Sequence, residues 1–196
     1  MSDQEQPDDD FLEGPLLRQA KGLAPRLETY DQYWRAGAQA IGYREAAETL
    51  LDAVIAGEHH TSKTLLHPIL FLYRHSIELR LKGLINEYGS DLAPTRHELD
   101  ALYAAAKQVI QRYAPNTYFD KVDRIIAELH AIDPNSQTFR YATTRKGDPI
   151  EIGVSEVDLV HLRSQMDDLD TFFFGVETDI DQAQEYLTEV AEYHRP

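Results

Sequence analysis

The sequence predicts an all-α protein: a bundle of four to five helices with a long C-terminal helix and a small β-hairpin insertion. Two observations predict the helices. Apolar residues recur three and four positions apart through most of residues 29–193, and the segments begin and end at capping residues, proline or glycine. A third observation predicts the hairpin, because within residues 138–153 two short β-prone stretches flank a turn.

The length of 196 residues suits one domain with a sizeable core. We assign residues 1–14 to a disordered acidic tail and residues 15–196 to a single helical domain. The absence of cysteine excludes disulfides and thiolate nucleophiles and fits a reducing compartment. No stretch reaches the roughly 18 apolar residues of a membrane span, and the N-terminus lacks signal-peptide features. We therefore expect a cytoplasmic protein with no membrane contact.

The net charge of −15 is unevenly distributed along the chain. Residues 1–13 carry six acids and no base, and residues 155–193 carry eleven acids and one base. Residues 14–154 hold 17 acids and 17 Lys and Arg, so the middle of the chain is neutral. A local basic surface for phosphate is permitted there, whereas broad binding to duplex DNA is not expected.

Four helices precede the hairpin. Their predicted limits are, in chain order, Thr29 to Gly57, Ser62 or His67 to Gly89, Thr95 to about Pro115, and Asn116 to Asp133. The third opens with a capping box, since Thr95 is followed three residues later by Glu98. Pro68 is tolerable only in the first turn of the second helix. The predicted buried face of the first helix consists of Trp34, Ile41, Leu51 and Ile55.

The last helix follows Ser155, a good N-cap residue. An unbroken heptad stripe runs along it, made of Leu159, Leu162, Met166, Leu169, Phe173, Val176, Ile180, Ala183, Leu187 and Val190. Such a helix would be roughly 55 Å long, longer than its neighbours can cover, so we expect a homodimer through the 155–193 helix. The alternative is that it folds back over the first helix of the same chain. Gly175 lies inside the stripe and is the place for a kink.

The second helix carries a charged strip between two apolar stripes. Arg74 and Glu78 are four residues apart, and so are Glu78 and Lys82, which lets one carboxylate bridge two cations. Buried charges cost several kcal/mol unless they are paired. These three residues therefore predict a structural ion ladder.

A functional interpretation of the same strip stays open. Arg74 and Arg140 can bind phosphate through their planar donor forks, and His75 and His97 can donate or exchange a proton near neutral pH. We place His97 in the first turn of the third helix, where free backbone N–H groups favour an anion.

Three motifs together resemble the HEPN (higher eukaryotes and prokaryotes nucleotide-binding) superfamily, over about residues 30–190. They are YRHSIELRLKGL, with Arg74, His75, Glu78, Leu79 and Lys82; RHELDALY, with His97, Glu98 and Leu99; and DPNSQTFRYAT, with Asp133, Ser136, Phe139, Arg140 and Tyr141. The resemblance implies a bundle of four or five helices, usually dimeric. Members of this superfamily are metal-independent ribonucleases of toxin–antitoxin and antiviral defence systems, or non-catalytic relatives that bind nucleotides or partner proteins. The resemblance therefore implies one of these two kinds of function.

For an enzyme, the resemblance implies RNA cleavage by 2′-hydroxyl attack, with His75 or His97 as proton carriers and Arg74 and Arg140 holding phosphate. In the nucleases of this superfamily an Arg near the start of the last helix is followed, after four to six residues, by a His. The last helix of this sequence lacks that pair. That spacing occurs only at Arg124 and His130, in the fourth helix. A chain with this many Arg and His contains such a pair by chance, so we interpret it as a surface or packing feature.

Two functions of different classes therefore remain open. One is a protein of RNA- or nucleotide-linked defence, with ribonuclease activity if it is an enzyme; the other is a non-catalytic dimeric module that recruits a protein partner. We expect no cofactor, because no glycine-rich loop follows a strand. We expect no metal site either, since the cluster of His59, His60 and His67 lacks a carboxylate at helical spacing.

Overall fold

The computed structural model describes residues 35–57, 62–89, 97–144 and 146–194. In these ranges the chain forms five helices: α1 (Arg35–Ile55), α2 (Ser62–Tyr88), α3 (Leu99–Tyr113), α4 (Asp120–Ile132) and α5 (Leu159–Tyr193). The all-α class and the long C-terminal helix are as predicted. The acidic tail, Thr29, Trp34 and Thr95 lie outside the described residues. Among the described helices, none combines the length and apolar character needed to cross a membrane.

α1 and α2 pack closely because α1 presents small side chains to α2. The buried residues of α1 are Ala40, Ala47 and Leu51. Ser76 of α2 donates a hydrogen bond to the carbonyl oxygen of Ala40 at 2.8 Å, which requires the two backbones to lie near each other. The predicted buried face is wrong at Ile41 and Ile55, which are 54% and 45% exposed. Close approach favours the alanine face over the bulkier isoleucine face.

Two helix starts differ from the prediction. Pro68 lies in the second turn of α2 and not in the first, because the helix already begins at Ser62. α4 begins at Asp120 with Phe119 at its N-cap, so Asn116 does not cap it. Phe119 is buried against the core, and this tertiary contact outweighs the local capping preference of asparagine.

α5 is one continuous helix through Gly175, with Asp158 and not Ser155 at its N-cap. The Asp158 carboxylate accepts hydrogen bonds from the backbone N–H groups of Val160 and His161, each at 3.0 Å. The centre of the heptad stripe is buried, at Met166, Leu169, Phe173, Val176 and Ile180. The centre of the stripe therefore supplies the core side of α5, whereas Leu187 and Val190 near its end are exposed.

Polar contacts fix how α5 lies against α1 and α2. Arg44 in the middle of α1 binds Asp170, with Nη1 2.9 Å from Oδ2, while Asp52 near the end of α1 pairs with Arg163. α1 is therefore antiparallel to α5. α2 runs parallel to α5, and its last contact is a 2.6 Å hydrogen bond from the Tyr88 hydroxyl to Asp181. The homodimer through the 155–193 helix stays a prediction.

The predicted β-hairpin insertion at 138–153 is wrong, because this part of the described chain contains no strand. A turn at Gly147 (φ 89°) brings Thr143 and Pro149 into one isolated antiparallel bridge. The Thr144 N–H donates to the carbonyl oxygen of Asp148 at 2.8 Å, and the Ile150 N–H donates to that of Ala142 at 2.9 Å. No backbone hydrogen bond between the described residues extends this pairing beyond Ala142 and Ile150. Pro149 has no N–H for a ladder, and so short a ribbon is not stable by itself.

Candidate functional site

The polar cluster of α2 is sealed inside the protein at Arg74, whose side chain is 0% exposed. Its Nη1 donates to Glu78 Oε2 at 2.7 Å, and its Nη2 donates to the carbonyl oxygen of His97 at 2.7 Å. Its Nε donates to the carbonyl oxygen of Asp133 at 3.2 Å and lies 3.1 Å from the Asp133 carboxylate. All three nitrogens are thus bound to protein groups, and this conformation presents no Arg74 donor to a phosphate from solvent.

Glu78 joins the buried guanidinium to two further groups. Its Oε1 accepts a hydrogen bond from Lys82 Nζ at 2.7 Å and lies 2.7 Å from His97 Nδ1. Burial raises the pKa of Glu78, but hydrogen bonds from Lys82, His97 and Arg74 outweigh it and hold this pKa at about 2. The carboxylate is therefore charged near neutral pH. Arg74, Glu78 and Lys82 thus form the predicted ion ladder.

Asp133, a residue of the DPNSQTFRYAT motif for which no role was predicted, is a partner of Arg74. It is fully buried at the end of α4. Its Oδ1 accepts hydrogen bonds from the backbone N–H groups of Gln137 and Thr138 at 2.7 and 3.0 Å. Ser136 inside this turn adopts a left-handed φ of 57°. A buried guanidinium needs several hydrogen-bond acceptors. That need was the one indication in the sequence that a carboxylate such as Asp133 would contact Arg74.

His75 lies beside the ladder and contacts rings. Its imidazole stacks on Phe71, with centroids 5.5 Å apart and planes at 10°, and meets the Tyr43 ring edge-on at 4.5 Å. Burial lowers the pKa of His75; Glu78 opposes this shift, and the positive charges of Lys82, Arg74 and Arg140 add to it. His75 is therefore neutral near pH 7. Phe71 was missed, although its position one helical turn before His75 is a usable signal.

Arg140 is exposed and lies against the same rings. Its guanidinium carbon is 5.9 Å from the Phe71 ring centroid and 5.5 Å from that of Tyr141, within cation–π distance. Its Nε donates to the carbonyl oxygen of Ser136. No carboxylate in the described parts of the chain forms an ion pair with it. We call Tyr43, Phe71, His75, Arg140 and Tyr141 the aromatic–basic surface.

His97 precedes α3 and is not in its first turn, which corrects the predicted position. The helix begins at Leu99 after an N-cap at Glu98, whose side chain makes no capping hydrogen bond. The His97 side chain is 62% exposed, while its Nδ1 is held by the buried carboxylate of Glu78. The ring is thus oriented by a fixed acid, and Nε2 is the nitrogen left for proton exchange.

Arg124 and His130 lie on the same helix but contact different neighbouring helices. Arg124 donates to Glu128 at 3.2 Å and to Gln165 at 2.6 Å, and its side chain is half-exposed. His130 Nδ1 lies 3.3 Å from a carboxylate oxygen of Asp100. These contacts join α4 to α5 and α3.

Within the described ranges, no three His, Asp or Glu side chains lie close enough together to hold a metal ion. His59 and His60 lie outside those ranges. Comparisons of the chain with protein-family models, curated proteins and solved structures give no match.

Proposed function

We propose that this protein is a HEPN-like binding module that holds single-stranded RNA or a nucleotide at the aromatic–basic surface without cleaving it. The observation that carries the proposal is the stack of Arg140 on Phe71 and of Phe71 on His75. The setting in toxin–antitoxin or antiviral defence, implied by the resemblance, belongs to the same proposal.

The chemistry of this surface matches that class of ligand. Bases stack on aromatic rings and on guanidinium planes, and a cation beside the rings attracts the phosphate. Arg140 has no carboxylate partner among the described residues, so its charge is available to a ligand. A neutral His75 contributes a ring face without adding the cost of desolvating a second charge.

Two observations favour binding over cleavage. The Arg74 guanidinium is enclosed by Glu78, Asp133 and His97, so its role is structural and none of its nitrogens is left to bind a phosphate. The last helix lacks the nuclease order of Arg followed by His, since His161 precedes Arg163. A positioned phosphate contact and a paired acid and base are what RNA cleavage would require.

The test is fluorescence anisotropy of a labelled single-stranded RNA and of labelled nucleotides, with Arg140→Ala and Phe71→Leu. Losing one stacked base contact costs about 1–3 kcal/mol, so each variant is expected to weaken binding by about 5- to 150-fold. Arg124→Ala is the matched control, because Arg124 is an exposed arginine that already has a carboxylate partner. Undetectable binding by the wild type, or equal binding by all variants, would refute the proposal.

A second candidate is metal-independent RNA cleavage, and the pairing of His97 with Glu78 favours it. A buried carboxylate that orients an exposed imidazole is an arrangement suited to general acid–base catalysis. We would incubate bulk cellular RNA with folded protein and a metal chelator, beside His97→Ala, His75→Ala and His130→Ala. Cleavage lost in one variant would identify its proton carrier, and intact RNA with every protein would exclude this function.

A further inference from the structure

The C-terminal end of α5 is exposed on every side. Ile180 is fully buried and Ala183 is half-buried, but every residue from 185 to 194 is exposed. We call residues 185–193 the α5 end. Its apolar face consists of Tyr186, Leu187, Val190 and Tyr193, which lie within roughly 120° of the helix surface at about 100° per residue. A contiguous stripe of exposed apolar side chains is typical of a surface that another element covers.

Negative charge lies along one edge of this apolar face. Glu185, Glu189 and Glu192 fall beside the two tyrosines, at roughly 60° to 120° from Tyr186 on the same helical scale. The opposite edge, beside Leu187, holds uncharged side chains, those of Gln184 and Ala191. Residues 164–194 contain no Lys or Arg, so no base of α5 after Arg163 offsets these acids.

The row of acids disfavours the helix that carries it. Asp181, Glu185 and Glu189 are spaced four residues apart, and like charges at that spacing repel one another on a helix. The last turn of α5 has no basic residue, and negative charge near a helix C-terminus opposes the helix dipole. A basic partner on this edge would remove the repulsion while its apolar residues covered the neighbouring face.

A second copy of α5 does not supply that positive charge. In an antiparallel pair of α5 ends the two acidic edges would face each other, and in a parallel pair each acidic edge would face an uncharged one. We propose that the α5 end binds an amphipathic helix of another protein, with apolar residues on the apolar face and a row of Lys or Arg beside the three glutamates. In helix-to-helix recognition the apolar residues give contact area, and the charged edges select the partner. This inference does not depend on the proposed function.

The test is binding of a labelled synthetic peptide to the full chain, followed by fluorescence anisotropy. The peptide has about 20 residues, with leucine on one helical face and lysine along one edge of that face. A scrambled peptide of the same composition is the control for charge alone. We expect the ordered peptide to bind at least about tenfold more tightly than the scrambled one, and its affinity to fall as salt is added. Amide exchange at residues 185–193 should slow when it binds.

Variants of the exposed end separate the two contributions. Leu187→Ser with Val190→Ser should weaken binding by about tenfold or more, because the apolar contact is lost. Val160→Ser is the matched control, since Val160 is an exposed apolar residue at the other end of α5. Replacing all three glutamates of the α5 end by lysine should reverse the preference, so that a peptide with glutamate along its edge binds better than the lysine peptide.

Four results would overturn the proposal. Two are equal binding of the ordered and scrambled peptides, and equal binding by the wild type and the Leu187→Ser, Val190→Ser protein. The third is protection of residues 185–193 in the free protein that does not depend on protein concentration, which would assign the apolar face to the chain's own residues. The fourth is protection that rises with concentration, with a doubled mass in light scattering, which would assign the face to a second copy.

Discussion

The variant Arg74→Leu removes a guanidinium that is wholly enclosed by protein. In the wild type this group has ion contacts with two buried carboxylates, Glu78 at 2.7 Å and Asp133 at 3.1 Å. It also donates to two backbone carbonyls, those of His97 at 2.7 Å and Asp133 at 3.2 Å. Leucine leaves all of these acceptors in the core with one cation fewer.

Breaking a buried ion pair on one side costs about 3–5 kcal/mol. We therefore expect Arg74→Leu to lower the free energy of unfolding by about 4 kcal/mol. At about 2–4 °C per kcal/mol for a chain of this size, the melting temperature should fall by about 8–16 °C. The assay is urea and thermal unfolding followed by circular dichroism at pH 7.

Arg124→Leu is a closely matched control. Arg124 and Glu128 repeat the spacing of Arg74 and Glu78, but this pair is about half-exposed. An exposed pair contributes little, so the control should lose less than about 1 kcal/mol. Arg74→Lys, which keeps a charge without the planar fork, should fall between the two. If Arg74→Leu loses less than about 1 kcal/mol, the structural role of the ladder is refuted.

Three further variants probe other contacts. Glu78→Gln removes a carboxylate whose pKa falls from 4.5 to about 2 on folding. In the wild type this carboxylate stabilises the folded state fully above pH 4.5, and the stabilisation is lost as the pH falls toward 2. Between pH 4.5 and 2 the free energy of unfolding of the wild type should fall by about 3 kcal/mol, and this fall should be missing in the variant. An equal fall in both proteins would contradict this expectation. Ala47→Leu should cost about 1–3 kcal/mol by overpacking the contact between α1 and α2, while Ala46→Leu on the exposed side should cost little. Asp158→Ala should lower the free energy of unfolding by about 1 kcal/mol, whereas Ser155→Ala, which removes no cap, should not.

Periodicity predicted the helices well because burial follows it. The stripe from Met166 to Ile180 is buried as expected. The burial of Phe173 and the 67% exposure of Phe174 follow the same rule. The i,i+4 spacing of Arg74 and Glu78 was also sufficient to expect their ion pair, because that spacing fixes the distance between side chains on a helix.

Where two local choices were nearly equal in energy, the sequence could not decide between them. Ser155 and Asp158 are both good N-caps, and both faces of α1 contain residues suited to a core. Packing against α2 selects the alanine face, and the burial of Phe119 moves the start of α4. The segment 138–153 has β-prone residues, but it finds no partner strand that would make a sheet stable.

The sequence by itself determined the elements, the ladder and the uneven charge, since these depend on spacing along one helix or on composition. Only the tertiary structure brought Asp133 and the His97 carbonyl to Arg74 and thereby closed that site. It alone placed Arg140 over Phe71, because the two residues are far apart in the chain and belong to different segments. Contacts of that kind depend on how helices cross, and the energy of crossing is a sum over many small packing terms that no single motif contains.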